Sequence, residues 1–359
     1  MDYYFRKDLK NIDHTVSIDV PRCDNMLCLN ESPYDPYQIV HDEFHQIMKR
    51  VSLNRYFSEV TGEIQEELIK YVGHGVDSHN MIFGNGADEM LYYLFTSLRD
   101  SPEDYILSLS PSYFDYKSYS RAVGMNVKFL NLNPDFDFDL KKYITLTRNK
   151  HCRLAVLCNP NNPTGNLLNY EKILEVINRV EIPVLIDETY YEFSKVTLLD
   201  EVMKRDDLLV IRSFSKAFSA AGLRFGYMLG NEKLISEIAK VKTAFNSSIL
   251  VQAFALAILK NKETFLKKVE EISKSRDEIY AKLNLLPHVK IFPTATNFIP
   301  FSFGRRSDEL FNFLIEKDIA LRQIGAHPLL KNFLRVTAGT KQQNQYFFNQ
   351  VKKWVSAAF

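Results

Sequence analysis

The stretch that decides the fold spans residues 208–226 and reads LLVIRSFSKAFSAAGLRFG. Its first four residues are apolar and predict a short buried strand. Lys216 follows the end of that strand, with Ser213 and Ser215 before it and Arg224 eight positions after it. Because ligand sites in α/β sheets form beyond the carboxyl ends of strands, this segment is a candidate site.

The lysine of this stretch suits covalent chemistry. Burial disfavours the charged ammonium, and the neutral amine that results forms a Schiff base with an aldehyde. Ser213, Ser215 and Arg224 together offer hydroxyls and a charged fork to a phosphate. An aldehyde joined to a phosphate describes pyridoxal 5'-phosphate. A lysine on a surface loop is the alternative, and this stretch alone leaves both interpretations open.

The surrounding chain alternates predicted strands and helices from about residue 80 to 230. The strands are predicted at 81–83, 105–107, 127–130, 154–157 and 184–186. This alternation predicts an α/β fold with a mostly parallel sheet covered by helices. Helical periodicity dominates 231–285, and residues 290–359 mix short strands with helices. We therefore expect an amino-terminal arm at 1–40 that joins a small domain, a large cofactor-binding domain at 41–245 and the small α+β domain at 246–359.

Polar side chains follow other predicted strands of the same sheet. Asp187 comes directly after the strand at 184–186, where a carboxylate can keep a pyridinium nitrogen protonated. Tyr190, three residues on, and Asn162, in a proline-rich turn, can hydrogen-bond the phenolic oxygen of the same ring. A helix cap or a loop carboxylate is the alternative for Asp187.

Two further features complete the candidate site. Gly86 and Ala87 open a predicted helix, and the free backbone N–H groups at a helix start suit a phosphate. Tyr113 follows its own strand and can stack on a flat ring. A lone aromatic residue is more often part of the core, so Tyr113 carries weight only together with the other residues.

Four motifs resemble the class I and II aminotransferases, which are fold-type I pyridoxal-phosphate enzymes. They are NPNNPTG at 159–165, DETYYEF at 187–193, SFSKAFSAAGLRFGY at 213–227 and FLRVTAG at 333–339. The motifs follow the family's order and span roughly residues 30–340. The resemblance implies an aspartate aminotransferase-like fold, in which helices sandwich a mostly parallel seven-stranded sheet and a smaller α+β domain follows.

The resemblance also implies a role for each candidate residue. Lys216, Asp187 and Tyr190 are the implied catalytic residues, with Lys216 carrying pyridoxal 5'-phosphate as a Schiff base. Tyr56 would reach the cofactor phosphate of a partner subunit, which implies a homodimer. The implied cofactor-binding residues are Gly86, Ala87, Tyr113, Asn162, Asp187, Tyr190, Ser213, Ser215, Lys216, Arg224 and Tyr56.

The substrate site is implied by a narrower resemblance to the histidinol-phosphate aminotransferases, at residues 30–34, 55–56 and 321–322. In that group Tyr34, Arg322 and Arg335 would hold the substrate phosphate. Two arginines and a phenol suit a phosphate dianion better than a carboxylate. The alternative is that Arg322 pairs with a nearby carboxylate such as Asp318.

The predicted activity is amino-group transfer between a small phosphorylated amine or ketone and the pair glutamate and 2-oxoglutarate. Phe57-Ser58 stand where the group usually has Pro-Asp, and Ser219 stands where glycine is usual. Three alternatives therefore stay open: a decarboxylase resembling threonine-phosphate decarboxylase, a transaminase for another small phosphorylated ketone, and one for a plain amino acid. A non-catalytic binding module is the last alternative.

Composition and short sequence features limit the binding partners and the cellular location that we expect. The chain has 359 residues and a net charge of +1, so no strong field argues for nucleic acid or an anionic membrane. No apolar run of membrane-spanning length and no secretory signal core occur, and four cysteines lack CxxC spacing. We expect a cytoplasmic protein. His41 and His45 have helical metal-pair spacing but no third ligand, so we expect no metal site.

Overall fold

The computed structural model describes residues 4, 6, 7, 9 and 20–359. Their strands are β1 (Asn25–Met26), β2 (Met81–Gly84), β3 (Tyr105–Ser110), β4 (Asn126–Asn131), β5 (Cys152–Cys158), β6 (Val184–Asp187), β7 (Leu208–Ser213), β8 (Gly226–Gly230), β9 (Lys290–Ile291), β10 (Phe298–Ser302), β11 (Ile319–Ala320), β12 (Arg322–Gln323) and β13 (Leu334–Thr337). The helices are α1 (Pro36–Met48), α2 (Val60–Val72), α3 (Gly86–Leu98), α4 (Asp115–Ala122), α5 (Leu140–Thr147), α6 (Tyr170–Arg179), α7 (Tyr191–Ser194), α8 (Leu199–Val202), α9 (Glu232–Ala239), α10 (Ile249–Lys260), α11 (Lys262–Asn284), α12 (Ser307–Glu316) and α13 (Lys341–Ala358).

The main sheet has seven strands in the order β2-β8-β7-β6-β5-β3-β4. Strands β7, β6, β5, β3 and β4 pair in parallel, and β8 pairs antiparallel with both of its neighbours. The predicted α/β fold with a mostly parallel seven-stranded sheet is therefore confirmed.

Side chains of the sheet alternate between two hydrophobic cores, one on each face. In β7, Leu208 and Val210 join the larger core, whereas Leu209 and Ile211 join the smaller one. All six residues of β7 are buried, because helices cover both faces of the sheet. A strand covered on both faces reads as a continuous apolar run, which is the pattern seen in the sequence.

The carboxyl-terminal part of the chain forms a second sheet, which is antiparallel and has the order β12-β13-β10-β9. The amino-terminal strand β1 pairs in parallel with β11, so residues 25–26 lie beside this part of the chain. Residues 1–3, 5, 8 and 10–19 of the predicted arm lie outside the described residues. The boundaries at 40 and 245 stay a prediction.

The parallel strands place several polar residues at one edge of the main sheet. Asp187 ends β6, Ser213 ends β7 and Cys158 ends β5. Because the three strands run in the same direction, their carboxyl ends lie side by side, where the sequence predicted a site. In the described part of the chain, no helix is long and apolar enough to cross a membrane.

Candidate active site

A cavity of about 890 Å³ opens at the carboxyl edge of the main sheet. Its walls come from the ends of the parallel strands, from the loop before α1 and from the segment after β12. Most of the predicted site residues line it, namely Ala87, Tyr113, Asn162, Asp187, Tyr190, Ser213, Ser215, Lys216, Arg224, Arg322 and Arg335. Sequence positions that span more than 240 residues are thus brought to one cavity.

Lys216 lies in the wall of this cavity and is half-buried. Its Nζ donates a hydrogen bond to the Leu29 carbonyl oxygen at 3.0 Å. Burial, together with the positive charge of Arg335, lowers the pKa of Lys216 to about 8, while the Glu31 carboxylate opposes the shift. Lys216 is therefore not a lysine on a surface loop, because its amine lines the cavity and is hydrogen-bonded to Leu29.

Asp187 is buried at the end of β6. Its Oδ2 accepts a hydrogen bond from the Tyr116 hydroxyl at 2.7 Å, and its Oδ1 accepts one from the Thr189 N–H at 3.0 Å. Burial raises the pKa of Asp187, and these two donors partly offset the shift. No ion pair between Asp187 and another described residue forms. A buried carboxylate of this kind gains most from a cationic N–H donor placed against it.

Aromatic and amide groups line the cavity near Asp187. Tyr113 donates to Asp88 Oδ1 at 3.2 Å, and its ring meets the Tyr116 ring edge-on at 5.4 Å between centroids. The Tyr190 hydroxyl accepts a hydrogen bond from Asn30 Nδ2 at 2.8 Å. These contacts fix the orientation of the two rings.

Hydroxyls and a guanidinium gather where β7 ends. Ser213 Oγ donates to Ser215 Oγ at 3.0 Å, and Arg224 Nη1 donates to Ser215 Oγ at 3.4 Å. Arg224 Nη2 also donates to Asp88 Oδ2 at 2.6 Å, so an acidic residue already neutralises part of this guanidinium.

The start of α3 closes this cluster. Gly86 has φ +86°, and a Cβ added to it would lie 2.9 Å from Arg224 Nη2, so the position requires glycine. Gly86 itself does not line the cavity, whereas the adjacent Ala87 does. The first N–H groups of a helix have no partner within it, which gives this corner an affinity for anions.

These features fit pyridoxal 5'-phosphate. Asp187 is a buried carboxylate that lacks a cation, Lys216 is an amine whose pKa is depressed, and hydroxyls, a guanidinium and a helix start form an anion seat. Tyr113 supplies an aromatic ring in the same cavity. The donor set therefore matches a ligand with an aldehyde, a basic ring nitrogen and a phosphate.

Two arginines also line the cavity. Arg322 and Arg335 are directly paired residues on the neighbouring antiparallel strands β12 and β13. Arg335 is buried, and its Nη1 and Nη2 donate to Asn162 Oδ1 at 2.7 Å and to the Cys28 carbonyl oxygen at 3.1 Å. Its Nε is buried without a hydrogen-bond acceptor. Burial lowers the pKa of Arg335 to about 10, and the charge of Arg322 contributes to the shift.

The alternative partner for Arg322 is engaged elsewhere. Asp318 Oδ1 accepts a hydrogen bond from the Asp24 N–H at 3.1 Å. Among the residues that the structure describes, Arg322 forms no ion pair. Two guanidinium groups therefore line one cavity, and neither forms an ion pair with a described carboxylate.

Two predicted residues lie away from the cavity wall. The Tyr34 hydroxyl donates to Glu271 Oε2 on α11 at 2.9 Å, and Lys268 Nζ lies 4.6 Å from the centre of the Tyr34 ring. Tyr56 is 78% exposed and stacks on Phe245 with ring centroids 4.9 Å apart. Neither side chain reaches the arginines or Lys216 in this conformation of a single chain.

Sequence reasoning missed three supporting residues. Tyr116 donates to Asp187, Asp88 pairs with Arg224, and Asn30 donates to Tyr190. The available signals were weak: Tyr116 lies three positions after Tyr113, and Asp88 follows the predicted phosphate seat directly. Each of these contacts joins separate elements, so spacing along the chain does not reveal it.

The sequence of this chain is similar to those of known aminotransferases. A family model described as aminotransferase class I and II matches residues 26–351. The histidinol-phosphate aminotransferase of Clostridium kluyveri is 31% identical over 346 residues, covering 96% of this chain and 97% of that protein.

Solved structures share the fold. The histidinol-phosphate aminotransferase from Sinorhizobium meliloti, solved in complex with pyridoxal-5'-phosphate, superposes with a TM-score of 0.86 at 19% identity and covers 99% of both chains. The L-threonine-O-3-phosphate decarboxylase from Porphyromonas gingivalis has a TM-score of 0.77 at 21% identity, covering 92% of this chain and 99% of that one. At these identities the likeness concerns the fold alone.

The pKa of Lys216 gives a first prediction. In the cofactor-free protein the Lys216 amine should become reactive as the pH rises through about 8, because the neutral form predominates above its pKa. Ordinary lysines have a pKa of about 10.4 and become reactive at correspondingly higher pH. Trace labelling with acetic anhydride, followed by peptide mapping across pH 6–11, measures this midpoint, and the exposed lysines provide the reference. A midpoint at or above that of the exposed lysines would contradict the burial argument.

A second prediction concerns Tyr116. Tyr116→Phe removes one of the donors to Asp187, so the carboxylate becomes harder to ionise and holds a cation less well. A hydrogen bond to a charged group contributes roughly 1.5–3 kcal/mol, so affinity for pyridoxal 5'-phosphate should fall by about tenfold or more.

Equilibrium titration of cofactor-free protein measures that affinity. Tyr143→Phe is the matched control, since Tyr143 is also fully buried but donates to the Val156 carbonyl oxygen at 3.2 Å, away from Asp187. Equal affinities in the two variants would show that the Tyr116 hydroxyl does not act through Asp187.

Proposed function

The chain belongs to the class I and II aminotransferases and is a pyridoxal-phosphate-dependent transaminase, and we propose that its amino donor or acceptor is a small phosphorylated compound of the histidinol-phosphate type. Glutamate and 2-oxoglutarate form the second substrate pair in this proposal. The identity to a histidinol-phosphate aminotransferase over nearly the whole of both chains supports it. The charges in the cavity support it independently.

The observation that carries the proposal is the pairing of Arg322 with Arg335. Like charges placed directly opposite each other on neighbouring strands repel. No described carboxylate pairs with either guanidinium, and the buried Nε of Arg335 has no acceptor. A ligand with two negative charges and several acceptor oxygens relieves both problems at once, and a phosphate monoester is such a ligand.

The residues around Lys216 support proton transfer. Pyridoxal 5'-phosphate, when bound, supplies a ring that withdraws electrons from the substrate's Cα. The Lys216 amine, neutral above about pH 8, would accept the proton from that Cα as a base and deliver it as an acid to the carbon that came from the cofactor's aldehyde. Asp187, whose position is fixed by the hydrogen bond from Tyr116, would keep a proton on the ring nitrogen.

The cofactor-binding roles of the other residues belong to the same proposal. Ser213, Ser215, Arg224 and the start of α3 would hold the phosphate of the cofactor, whereas Arg322 and Arg335 would hold the substrate's anion. A role for Tyr34 in substrate binding requires its hydroxyl to leave Glu271, to which it donates at 2.9 Å.

We extend the proposal to a cytoplasmic homodimer. Leu53, Tyr56 and Phe57 are 61%, 78% and 83% exposed, and both aromatic rings contact Phe245, itself half exposed. An exposed apolar cluster of this kind suits a protein interface. Tyr56 would then reach the cofactor of the neighbouring subunit. All four cysteines are free thiols, which accords with a reducing compartment.

A third prediction tests the substrate. The holoenzyme should convert L-histidinol phosphate and 2-oxoglutarate to glutamate with a higher kcat/KM than it shows for L-histidinol. Arg322→Ala should raise the KM for the phosphorylated amine by about tenfold or more, because one charged partner contributes roughly 1.5–3 kcal/mol, and should change the KM for glutamate far less.

Arg305→Ala is the control for that measurement, since it removes the same charge from an exposed turn. Equal effects of Arg322→Ala on both substrates, or no preference for the phosphorylated amine, would favour a plain amino-acid transaminase. Release of carbon dioxide from a phosphorylated amino acid without stoichiometric glutamate would favour the decarboxylase instead.

A fourth prediction tests the proposed dimer by mixing subunits. Tyr56→Phe and Lys216→Ala should each lower activity strongly, and mixed dimers of the two should regain one intact site, because each chain supplies the group that the other lacks. Sedimentation should show a dimer for every variant. If Tyr56 acts within its own chain, or not at all, the mixture will show no gain over the separate variants.

A further inference from the structure

The most deeply buried ion pair among the described residues lies directly behind the cavity wall. Arg212 is 2% exposed and Glu188 is fully buried, and no other described ion pair has both side chains buried. Neither side chain lines the cavity. Each residue is nevertheless next in sequence to a residue of the wall, because Glu188 follows Asp187 and Arg212 precedes Ser213.

The pair is held by several directional contacts. Arg212 Nε and Nη2 donate to the same Glu188 oxygen, Oε2, at 3.0 and 2.7 Å. The other oxygen, Oε1, accepts from the Leu198 N–H at 2.7 Å. The Thr197 hydroxyl bridges the two residues, since it accepts from Arg212 Nη2 at 2.9 Å and donates to Glu188. The guanidinium lies over the Tyr191 ring, 3.6 Å from its centre. Charge-assisted bonds of this kind hold the two side chains in one arrangement.

The pair joins two strands where their backbone contact ends. Strands β6 and β7 are in register as far as Asp187 and Ile211, and the Glu188 N–H adds one hydrogen bond to the Ile211 carbonyl oxygen at 2.9 Å. Beyond that point β7 continues beside β8, through Arg212 and Ser213. The side chains of Arg212 and Glu188 therefore extend the connection between β6 and β7 at the edge where both strands enter the cavity wall.

The stability of the fold alone does not explain a charged pair in this position. Burial removes the hydration of both charges and offsets much of their attraction, so apolar residues of similar volume are often equally stable. Apolar packing tolerates small shifts of the backbone, whereas a two-point hydrogen bond does not. What the pair contributes beyond stability is a fixed offset between the ends of β6 and β7.

We propose that Arg212 and Glu188 are positioning residues, which hold the Asp187 carboxylate and the hydroxyls at the end of β7 at the separation that one cofactor molecule spans. The inference rests on the proposed function, in which Asp187 meets the ring nitrogen of pyridoxal 5'-phosphate and the cluster at the end of β7 holds its phosphate. A planar ring and one methylene group separate that nitrogen from the phosphate ester, so the distance between them varies little. A shift of one strand end would therefore cost the ligand one of its two contacts.

The test removes both charges and keeps most of the volume. In the double variant Arg212→Met/Glu188→Gln, the amide oxygen can still accept from the Leu198 N–H, and the flexible methionine fills the space of the guanidinium. Glu192, a second buried carboxylate near Arg212, keeps the Tyr71 hydroxyl as its donor at 2.8 Å. Thermal unfolding of the cofactor-free full chain checks that the double variant is folded.

Three ligands distinguish positioning from general damage to the site. Inorganic phosphate contacts only the phosphate end, pyridoxal contacts only the ring end, and pyridoxal 5'-phosphate contacts both; equilibrium titration of the cofactor-free full chain gives a Kd for each. In the double variant the Kd of pyridoxal 5'-phosphate should rise about tenfold or more, whereas the other two should change less than about twofold, because only a ligand that links both ends depends on their offset.

Arg212→Lys is the milder second variant, since it keeps the charge but loses the two-point contact, and it should show the same selective loss to a smaller degree. The matched control is Arg205→Met/Asp207→Asn, which removes an ion pair of 3.0 Å at the opposite end of β7 and should leave all three Kd values as in wild type. An unchanged Kd for pyridoxal 5'-phosphate in the folded double variant, or an equal rise for all three ligands, overturns the inference. If the double variant does not fold, the same comparison in Arg212→Lys decides.

Arg224→Gln separates this inference from the proposed function, because it should weaken the binding of inorganic phosphate. If the Kd of phosphate does not change in this variant, the proposed phosphate seat is wrong and the positioning role falls with it. If phosphate binding weakens in Arg224→Gln while the double variant binds pyridoxal 5'-phosphate as tightly as wild type, the seat stands and only the positioning role is removed. Neither result affects the proposal of a phosphorylated substrate, since these titrations contain no substrate.

Discussion

The buried carboxylate of Asp187 is the constraint on which the site depends. Removing a charge from water without a counter-ion is costly, and the described residues give Asp187 a phenol and the backbone and side chain of Thr189 but no cation. The main sheet makes this possible, because β6 ends inside the protein and directs the residue into the cavity rather than to solvent. Such a group remains unfavourable until a cationic donor meets it, so the fold carries a built-in preference for a ligand with a protonated nitrogen.

The positively charged side chains of the cavity are also held at an electrostatic cost. Burial lowers the pKa of both Lys216 and Arg335. Arg335 on β13 is also directly paired with Arg322 on the adjacent strand β12. In a protein selected for stability alone, an acidic or apolar residue at position 322 would remove the repulsion. Functional sites commonly retain such unfavourable pairs, since the ligand supplies the missing interaction. The cavity is therefore complementary to anions at two places, the cluster around Arg224 and the arginine pair.

The sequence predicted the strands and the residues at their ends, because buried strands read as apolar runs and parallel strands place their ends together. Asp187 and Lys216 follow from that rule, with family resemblance adding their roles. Tyr116 does not follow from it, since its partner lies 71 positions away on another element. The orientation of Tyr34 was equally beyond reach, because Glu271 on α11, 237 positions later, decides where the hydroxyl points.

The segment at residues 28–32 shows why contacts between elements govern this site. Its Cys28 carbonyl accepts from Arg335, its Leu29 carbonyl accepts from Lys216, and its Asn30 side chain donates to Tyr190. One irregular peptide thus fixes groups of the main sheet and of the second sheet relative to each other, and no periodic pattern marks it. A shift of this segment would move the acceptor of Lys216 and that of Arg335 together. Its conformation therefore determines how the reacting amine is placed relative to the arginine pair, and it does so through backbone carbonyl oxygens, which any residue at positions 28 and 29 would supply.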